Sequence, residues 1–437
     1  MIPLSFAQQR LWFLHQLEGP GPLYNIPLAL HLEGPLVIAA LHAALDDVVG
    51  RHESLRTVFS NTDGHGEQRV LDPAAAAVPF EVINVDEGQL DACLHEAAHR
   101  PFDLSQEMPI HVTLLALGND QHVLLLLIHH IASDGDSWAP LARDLAQAYA
   151  ARCEGRAPGW APLPVQYVDY TLWQHEWLGQ ESDPDSAIGA EVNYWRDALA
   201  GLPEQLDLPV DRTRPVHPSY RGGHVSAELD VRTHRHLLEL ARGQNASLFM
   251  VLHAAVAALL TRLGAGEDIP LGTSVAGRQD DALVDLVGFF VNPLVLRTDT
   301  SGNPSFRELV SRTRHVDLGA LNHQELPFDR LVDLLNPTRV AGRHPLFQIA
   351  LVMNNNARPS YELINLRVTA HSLEFSPAKH DLVFSFVENQ NDKGQPAGLR
   401  ISLGYATDLF DEATVARMAQ RLSRLLEEVA IEPDRRL

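Results

Sequence analysis

Apolar positions recur along this chain in two rhythms, one of a helix and one of a strand. In "SFAQQRLWFLHQLE" Phe6, Leu11, Leu14 and Leu17 fall at helical spacing, and Ser5 is placed to cap that helix. "GPGPLYNIP" breaks it, and "LALHLEG" alternates as a strand does. A second helix is predicted over "IAALHAALDDVVGRH" and a strand over "LRTVFS". "IHVTLLAL" and "QHVLLLLI" read as short strands flanking "GND", the pattern of a hairpin. Past Asp134-Gly135 the period changes: Trp138, Leu141, Leu145 and Tyr149 share one helical face. "CEGRAPGWAPLPVQ" reads as a connector and "YVDYTLWQHEWL" as a further helix.

The second half repeats the mixture. "GLPEQLDLPVDRTRPVHPSYRGG", with four prolines, predicts an irregular crossing. "SLFMVLHAAVAALLTRLG" is a strongly apolar helix, "DIPLGTSVAG" a strand and turn, and "VNPLVLRT" another strand. "SFRELVSRTRHVDLGALNH" and "ATVARMAQRLSRLLEEVA" are amphipathic helices. Mixed helices and strands in two halves predict an α/β (α+β mixed) bilobal protein. The boundary is expected near Leu178, giving lobes of 1–178 and 179–437. No repeat or low-complexity segment stands out.

Composition narrows the function classes. With 437 residues, 45% of them hydrophobic, the chain can bury a large core. A formal charge of −22, from 34 basic and 56 acidic residues, argues against nucleic acid and anionic membranes as partners. The two cysteines, Cys93 and Cys153, do not make a disulfide framework, and a reducing cytoplasm fits them. The N-terminus lacks a basic leader with an apolar core, and no apolar run reaches bilayer length, so a soluble cytoplasmic protein is expected.

Several chemical motifs fail on context. "HEAAH", His95 to His99, has the spacing of a zinc peptidase helix, but Arg100-Pro101 ends the helix at once and no third ligand follows. A solvated helix end is the reading. No GxGxxG follows a strand, and neither GxxxxGK[ST] nor GxSxG occurs. What remains is "LLLLIHHIASDGDSW", Leu124 to Trp138. Adjacent residues at a strand end face opposite ways, so His129 and His130 do not easily share a metal; one should face inward and the other a cleft. Asp134 can cap the following helix, pair with an arginine or orient an imidazole, and Gly135 allows close backbone approach to a ligand. On spacing alone, a functional base and a capped turn with satisfied histidines both remain open.

"HHIASDG" reads H-H-x-x-x-D-G and resembles the condensation domains of nonribosomal peptide synthetases. Further stretches similar to that family follow in order: "LSFAQQRLWFLHQL", containing Ser5 to Trp12; "RHESLRTVF", Arg51 to Phe59; "GTSVAGR", Gly272 to Arg278; "LVGFFVNPLVLR", Leu286 to Arg297; and "HQELPFDRLVDLLNPTRVAGRHPLFQIALVMNN", His323 to Asn355. Together they cover essentially the whole chain.

The resemblance implies a V of two chloramphenicol acetyltransferase-like lobes. The N-terminal lobe would carry HHxxxDG, the C-terminal lobe the VAGR, GFFVNPLVLR and HPLFQ motifs, with a tunnel between them. His130 would face the reaction centre, with the Gly135 backbone close by. His129 would turn into the lobe core, and Asp134 would be structural, paired with Arg278. Asn292 and Arg10 are weaker tunnel-lining candidates, Arg10 being otherwise a surface residue of the first helix. No metal and no cofactor bound by the domain are expected; substrates would arrive on the 4′-phosphopantetheine arms of donor and acceptor carrier proteins. An adenylation domain would adjoin, and the excised domain would be monomeric. "GPGPLYNIP", "RHESLRTVF" and "AKHDLVFSFVE" resemble the branch that takes a D-configured donor. "DGDSW" departs from the D-G-W-S of many relatives, Asp136 standing where they have Trp. Epimerisation domains share DGxSW, but their E-G-H-G-R stretch is missing; heterocyclisation domains lack the double His. Two other functions remain open: a stand-alone acyltransferase using a soluble acyl thioester, and a noncatalytic platform that recruits tailoring enzymes.

Overall fold

The leucine run lies at the centre of its sheet. In the structure, a computed structural model that describes residues 2–179, 186–338, 340, 342–354, 360–373, 375, 377–391 and 393–436, the strand Gln121–His129 pairs antiparallel with Asn25–Glu33 on one side and Ile110–Gly118 on the other. Phe80–Asn84 adds parallel to the latter and Arg367–His371 antiparallel to the former, completing five strands. Five helices accompany them: α1 (Phe6–Glu18), α2 (Ile38–Arg51), α3 (Leu90–Ala98), α4 (Trp138–Cys153) and α5 (Tyr167–Leu178). Leu124, Leu126 and Ile128 enter one core with Leu41 and Leu45 of α2 and Leu141 and Leu145 of α4. Val123 and Leu125 enter a second core with Leu90 and Leu94 of α3. Both faces are covered, which is why the run is continuous rather than alternating. The hairpin turns through Asn119 and Asp120, both left-handed at φ 50° and 59°, a conformation these short polar side chains tolerate and the tight hairpin twist requires.

The first helix is capped as its sequence predicts. Ser5 Oγ accepts the Gln8 N–H at 3.1 Å, and Gln8 Oε1 accepts the Ser5 N–H at 3.0 Å. Its buried face is Phe6, Gln8, Leu11 and Trp12; Leu17, which spacing grouped with the apolar stripe, is exposed. Gln8 is buried instead because the capping box holds it. The strand predicted from Leu55 begins at Thr57, since Glu53–Arg56 closes a 3₁₀ turn first.

Of two further sheets, a small one joins Ile2–Pro3, His65–Val70 and Thr57–Thr62, and the larger has six strands in the order Asn292–Asp299, Asp268–Val275, Ile349–Met353, Leu382–Gln390, Pro396–Ala406 and Gly222–Leu229. With it go α6 (Ala187–Ala198), α7 (Val231–Gly243), α8 (Leu248–Arg262), α9 (Phe306–Asn322), α10 (Phe328–Leu335) and α11 (Glu412–Ile431). Helix α8 is buried nearly all round, matching its unbroken apolar composition. The edge strand Gly222–Leu229 alternates through "HVSAEL", a pattern the sequence reading passed over: Val225 and Ala227 pack with the buried Leu229 against the core, and Pro396–Ala406 sets the register. Gly223 lies under Tyr405, where a Cβ would come within 2.5 Å of the ring.

The chain divides into two units, Met1–Gly179 with Ala276–Val291 and Asn356–Phe375, and Gln180–Val275 with Asn292–Asn355 and Ser376–Leu437. The first division falls beside Leu178. A single cut there also assigns 276–291 and 356–375 to the second lobe, whereas both pack in the first unit. Hydrogen bonds between residues far apart in sequence produce those returns, and no local pattern announces them. Among the described residues no single helix is long and apolar enough to cross a membrane.

Candidate active site around His130

The site begins where the central strand ends. Backbone alternation sends the two histidines to opposite sides. His129, 3% exposed, lies beside Phe102 and Tyr24, and its Nδ1 accepts the Ile131 N–H at 3.1 Å. That bond opens the 3₁₀ turn His130–Ala132. His130 is half-buried, its ring 4.7 Å from that of Phe289 in an edge-on arrangement. Its Nδ1 lies 2.8 Å from the Ser133 carbonyl oxygen. A carbonyl only accepts, so Nδ1 carries the proton, and in the neutral ring Nε2 holds the lone pair. The ring is thereby set up to accept a proton through Nε2.

Asp134, fully buried, ties the loop together. Its Oδ1 accepts the Ser137 N–H at 3.1 Å and the Ser137 hydroxyl at 2.8 Å. Its Oδ2 accepts Arg278 Nη1 at 2.7 Å and the Phe290 N–H at 3.0 Å. Ser137 Oγ also accepts the Gly288 N–H at 3.1 Å and Arg278 Nη2 at 3.0 Å. The Arg278 guanidinium stacks over Phe290 at 4.2 Å. Paired and hydrogen-bonded on both oxygens, this carboxylate meets the conditions under which a charge survives burial. The arrangement locks the HHxxxDG loop to segment 276–291, both within the first unit.

Further anchors hold that segment. Tyr167 Oη donates to the Phe289 carbonyl at 2.5 Å and Ser54 Oγ to the Val287 carbonyl at 2.7 Å. Burial, chiefly, pushes the Tyr167 phenol well above its usual range, so it remains a donor. Gly277 sits at φ +67°, where a Cβ would fall 2.2 Å from the Phe290 carbonyl oxygen, so only glycine fits.

The remaining candidates separate. Gly135 is exposed at the start of the 3₁₀ turn Gly135–Ser137. Arg10, on α1, lies over the Phe289 ring at 6.0 Å and so reaches the neighbourhood of His130. Asn292 belongs to the other unit, and its amide is engaged there: Nδ2 donates to the Gln324 and Leu326 carbonyls, each at 2.8 Å, and Oδ1 accepts the Phe328 N–H at 3.0 Å. That makes it a clamp on the 324–328 loop. Asp136 is half-buried; burial raises its carboxyl, Arg278 opposes the shift and Asp134 adds to it. At the "HEAAH" stretch α3 ends at Ala98, and His95 and His99 stack at 4.0 Å. Among the described residues no group of three or more His, Cys, Asp or Glu could hold a metal ion.

Sequence reasoning missed Ser137, Tyr167, Phe289 and Ser54. Ser137 was within reach, since a Ser three residues after an Asp fits a reciprocal cap. Tyr167 and Ser54 had no local signal, because each bonds a carbonyl more than one hundred residues away.

The family model for the condensation domain matches residues 1–437. A nonribosomal peptide synthetase of Salinispora arenicola (strain CNS-205) is 53% identical over 437 residues, and a dimodular nonribosomal peptide synthase of Bacillus subtilis (strain 168) 50% identical over 436. Each match covers 100% of this chain, which spans only 6% and 18% of those relatives' own length. Among solved structures, the X-domain from teicoplanin biosynthesis superposes with a TM-score of 0.94 at 39% identity, covering 99% of this chain and 96% of the X-domain. The chain belongs to the condensation domain family.

Proposed function

We propose that this chain joins an acceptor amine to a donor thioester as the condensation domain of a nonribosomal peptide synthetase. The donor is a peptidyl or aminoacyl group, and both substrates ride on 4′-phosphopantetheine arms of carrier proteins. The acceptor nitrogen attacks the thioester carbonyl, the tetrahedral oxyanion collapses, the C–S bond breaks, and the amine proton ends on the released thiol. The amine must be neutral to attack, yet a free α-amine has a pKa of about 8. His130 receives that proton through Nε2 or holds the amine in line. General-base help is worth roughly 10²–10⁴-fold, and positioning of two tethered reactants more. Gly135 lies close to the reacting carbonyl. Asp134 and Arg278 act as the frame.

The observation that carries this reading is the Nδ1–H···O=C bond from His130 to Ser133, which assigns the lone pair to Nε2. The donor ends in a D-configured residue, a preference supported by the "GPGPLYNIP" and "AKHDLVFSFVE" stretches. In its parent synthetase the domain works in the cytoplasm beside carrier and adenylation domains, and needs no metal or cofactor of its own.

The test mixes the domain with a donor carrier bearing a peptidyl thioester and an acceptor carrier bearing an aminoacyl thioester, and weighs the acceptor by intact mass spectrometry. The donor mass should appear on the acceptor, faster for a D-ending than an L-ending peptide, and fall sharply in His130→Ala. No transfer from any well-loaded pair refutes the reading. A second reading, a recruitment platform for a tailoring enzyme, is favoured by the X-domain likeness; an X-domain from teicoplanin biosynthesis in complex with OxyB also superposes at a TM-score of 0.93 and 38% identity. Binding of such an enzyme without condensation would select it.

A further inference from the structure

Two routes converge on Phe289, and both start at Ser5. The Ser5 hydroxyl caps α1, the helix that carries Arg10 onto the Phe289 ring at 6.0 Å. The same hydroxyl lies 2.8 Å from Tyr167 Oη, which in turn donates to the Phe289 carbonyl at 2.5 Å. Because the phenol proton is committed to that carbonyl, the Ser5 proton points to Tyr167, and Ser5 Oγ still accepts the Gln8 N–H at 3.1 Å. Ser5 and Tyr167 are buried, at 0% and 2% exposure, so this chain of hydroxyls is shielded from water. On the far side of the Phe289 peptide group, the Phe290 N–H donates to Asp134 at 3.0 Å. The backbone of Phe289 is therefore gripped from both directions, and its ring, 1% exposed, lies 4.7 Å from His130 at 60°.

We infer that the Ser5–Tyr167–Phe289 relay positions the His130 imidazole. It acts through the Phe289 ring, which keeps His130 in the rotamer that donates Nδ1–H to Ser133. Ser5 and Tyr167 are positioning residues; neither is assigned contact with substrate. The inference rests on the condensation reading for its consequence in catalysis, but not for its structural content. It also accounts for a chemical peculiarity: "LSFAQQRLW", "YVDY" and "GFFVN" lie far apart in sequence, and one line of hydrogen bonds connects them.

Tyr167→Phe removes one oxygen and leaves the Phe289 carbonyl without its donor. Ser5→Ala breaks the relay one bond earlier, and Ser5→Thr restores a hydroxyl. The first readout is the His130 tautomer in the full chain, from long-range ¹H–¹⁵N correlation at about pH 8, above the ordinary imidazole range. The His130 signal is the one missing in His130→Gln. Wild type and Ser5→Thr should show the Nδ1–H form, and Tyr167→Phe and Ser5→Ala a mixture of both forms. An unchanged tautomer in Tyr167→Phe and Ser5→Ala, each melting cooperatively, overturns the inference; should Tyr167→Phe not fold, Ser5→Ala alone decides.

The second readout is carrier-to-carrier transfer. Tyr167→Phe should lower kcat on the order of ten- to a hundredfold, the scale of a displaced reacting group, with KM for the acceptor carrier changed by less than about twofold. In a His130→Ala background the same substitution should cost nothing further. An equal loss in that background overturns the inference. Absence of transfer by wild type sinks the proposed function alone, since the tautomer measurement still judges the relay.

Discussion

Replacing Arg278 by alanine tests the frame of the site most directly. The substitution removes a 2.7 Å bond to Asp134 Oδ2, a 3.0 Å bond to Ser137 Oγ, a 3.3 Å bond to the Leu286 carbonyl and the stack on Phe290. The side chains of Arg278 and Asp134 are only 5% and 1% exposed, so solvent screens the pair little and cannot replace the lost cation. Stranding one partner of a buried, hydrogen-bonded pair costs about 3–5 kcal/mol. The carboxylate keeps its Ser137 and Phe290 donors, so the lower part of that range is expected. Those two amides also provide the assay. Each donates to Asp134, and their hydrogen exchange reports opening of the loop itself, without assuming that two units unfold together. At about 1.4 kcal/mol per factor of ten, their protection should fall by roughly 10²- to 10³-fold. Arg278→Lys keeps the charge but loses the planar fork and should sit between. The double substitution Asp134→Ala, Arg278→Ala should cost less than the sum of the singles, because the stranded charge goes with its partner. A loss of protection under about tenfold in Arg278→Ala, or strict additivity in the double variant, would refute the reasoning.

Other perturbations have signs set by the same contacts. Gly277→Ala combines φ +67° with a Cβ 2.2 Å from a backbone oxygen and should destabilise by at least about 2 kcal/mol, read as a lowered melting temperature. Ser137→Ala leaves Asp134 Oδ1 and the Gly288 N–H each short of a partner and should cost about 1–3 kcal/mol in urea unfolding of the first unit. His111, 2.9 Å from Glu107, is held down at about 4 by burial first and Arg100 second, against the pull of Glu107. The unfolded chain then binds the extra proton between the ordinary 6.5 and about 4, so stability should fall as pH is lowered through that window and level off below it. His111→Gln should flatten the dependence, and an unchanged slope in denaturation midpoints across those pH values would contradict it.

What the sequence determined by itself is local and periodic. The Ser5 cap, the Asn119-Asp120 turn, the doubly buried run ending at Ile128 and the all-round apolar α8 depend on neighbours within a few residues, or on how much of an element is covered. The alternation at a strand end separates His129 from His130 without any tertiary information. The HHxxxDG spacing marked the loop, and family resemblance, rather than periodicity, named Arg278 as the partner of Asp134. Other things were decided only in three dimensions. The edge strand Gly222–Leu229 alternates through "HVSAEL", but only the fold decides that Pro396–Ala406 supplies its ladder. Segment 276–291 joins the first unit because Asp134, Ser137, Tyr167 and Ser54 satisfy its backbone and its arginine from up to 233 residues away. Asn292 takes its role from the carbonyls of a later loop. Buried polar groups must find partners wherever the fold brings them, and that requirement leaves no trace in local spacing. The histidines and the three-residue reach from His130 to Ser133 are therefore local, while the hydrogen bonds that hold Phe289 beside His130 belong to the tertiary structure.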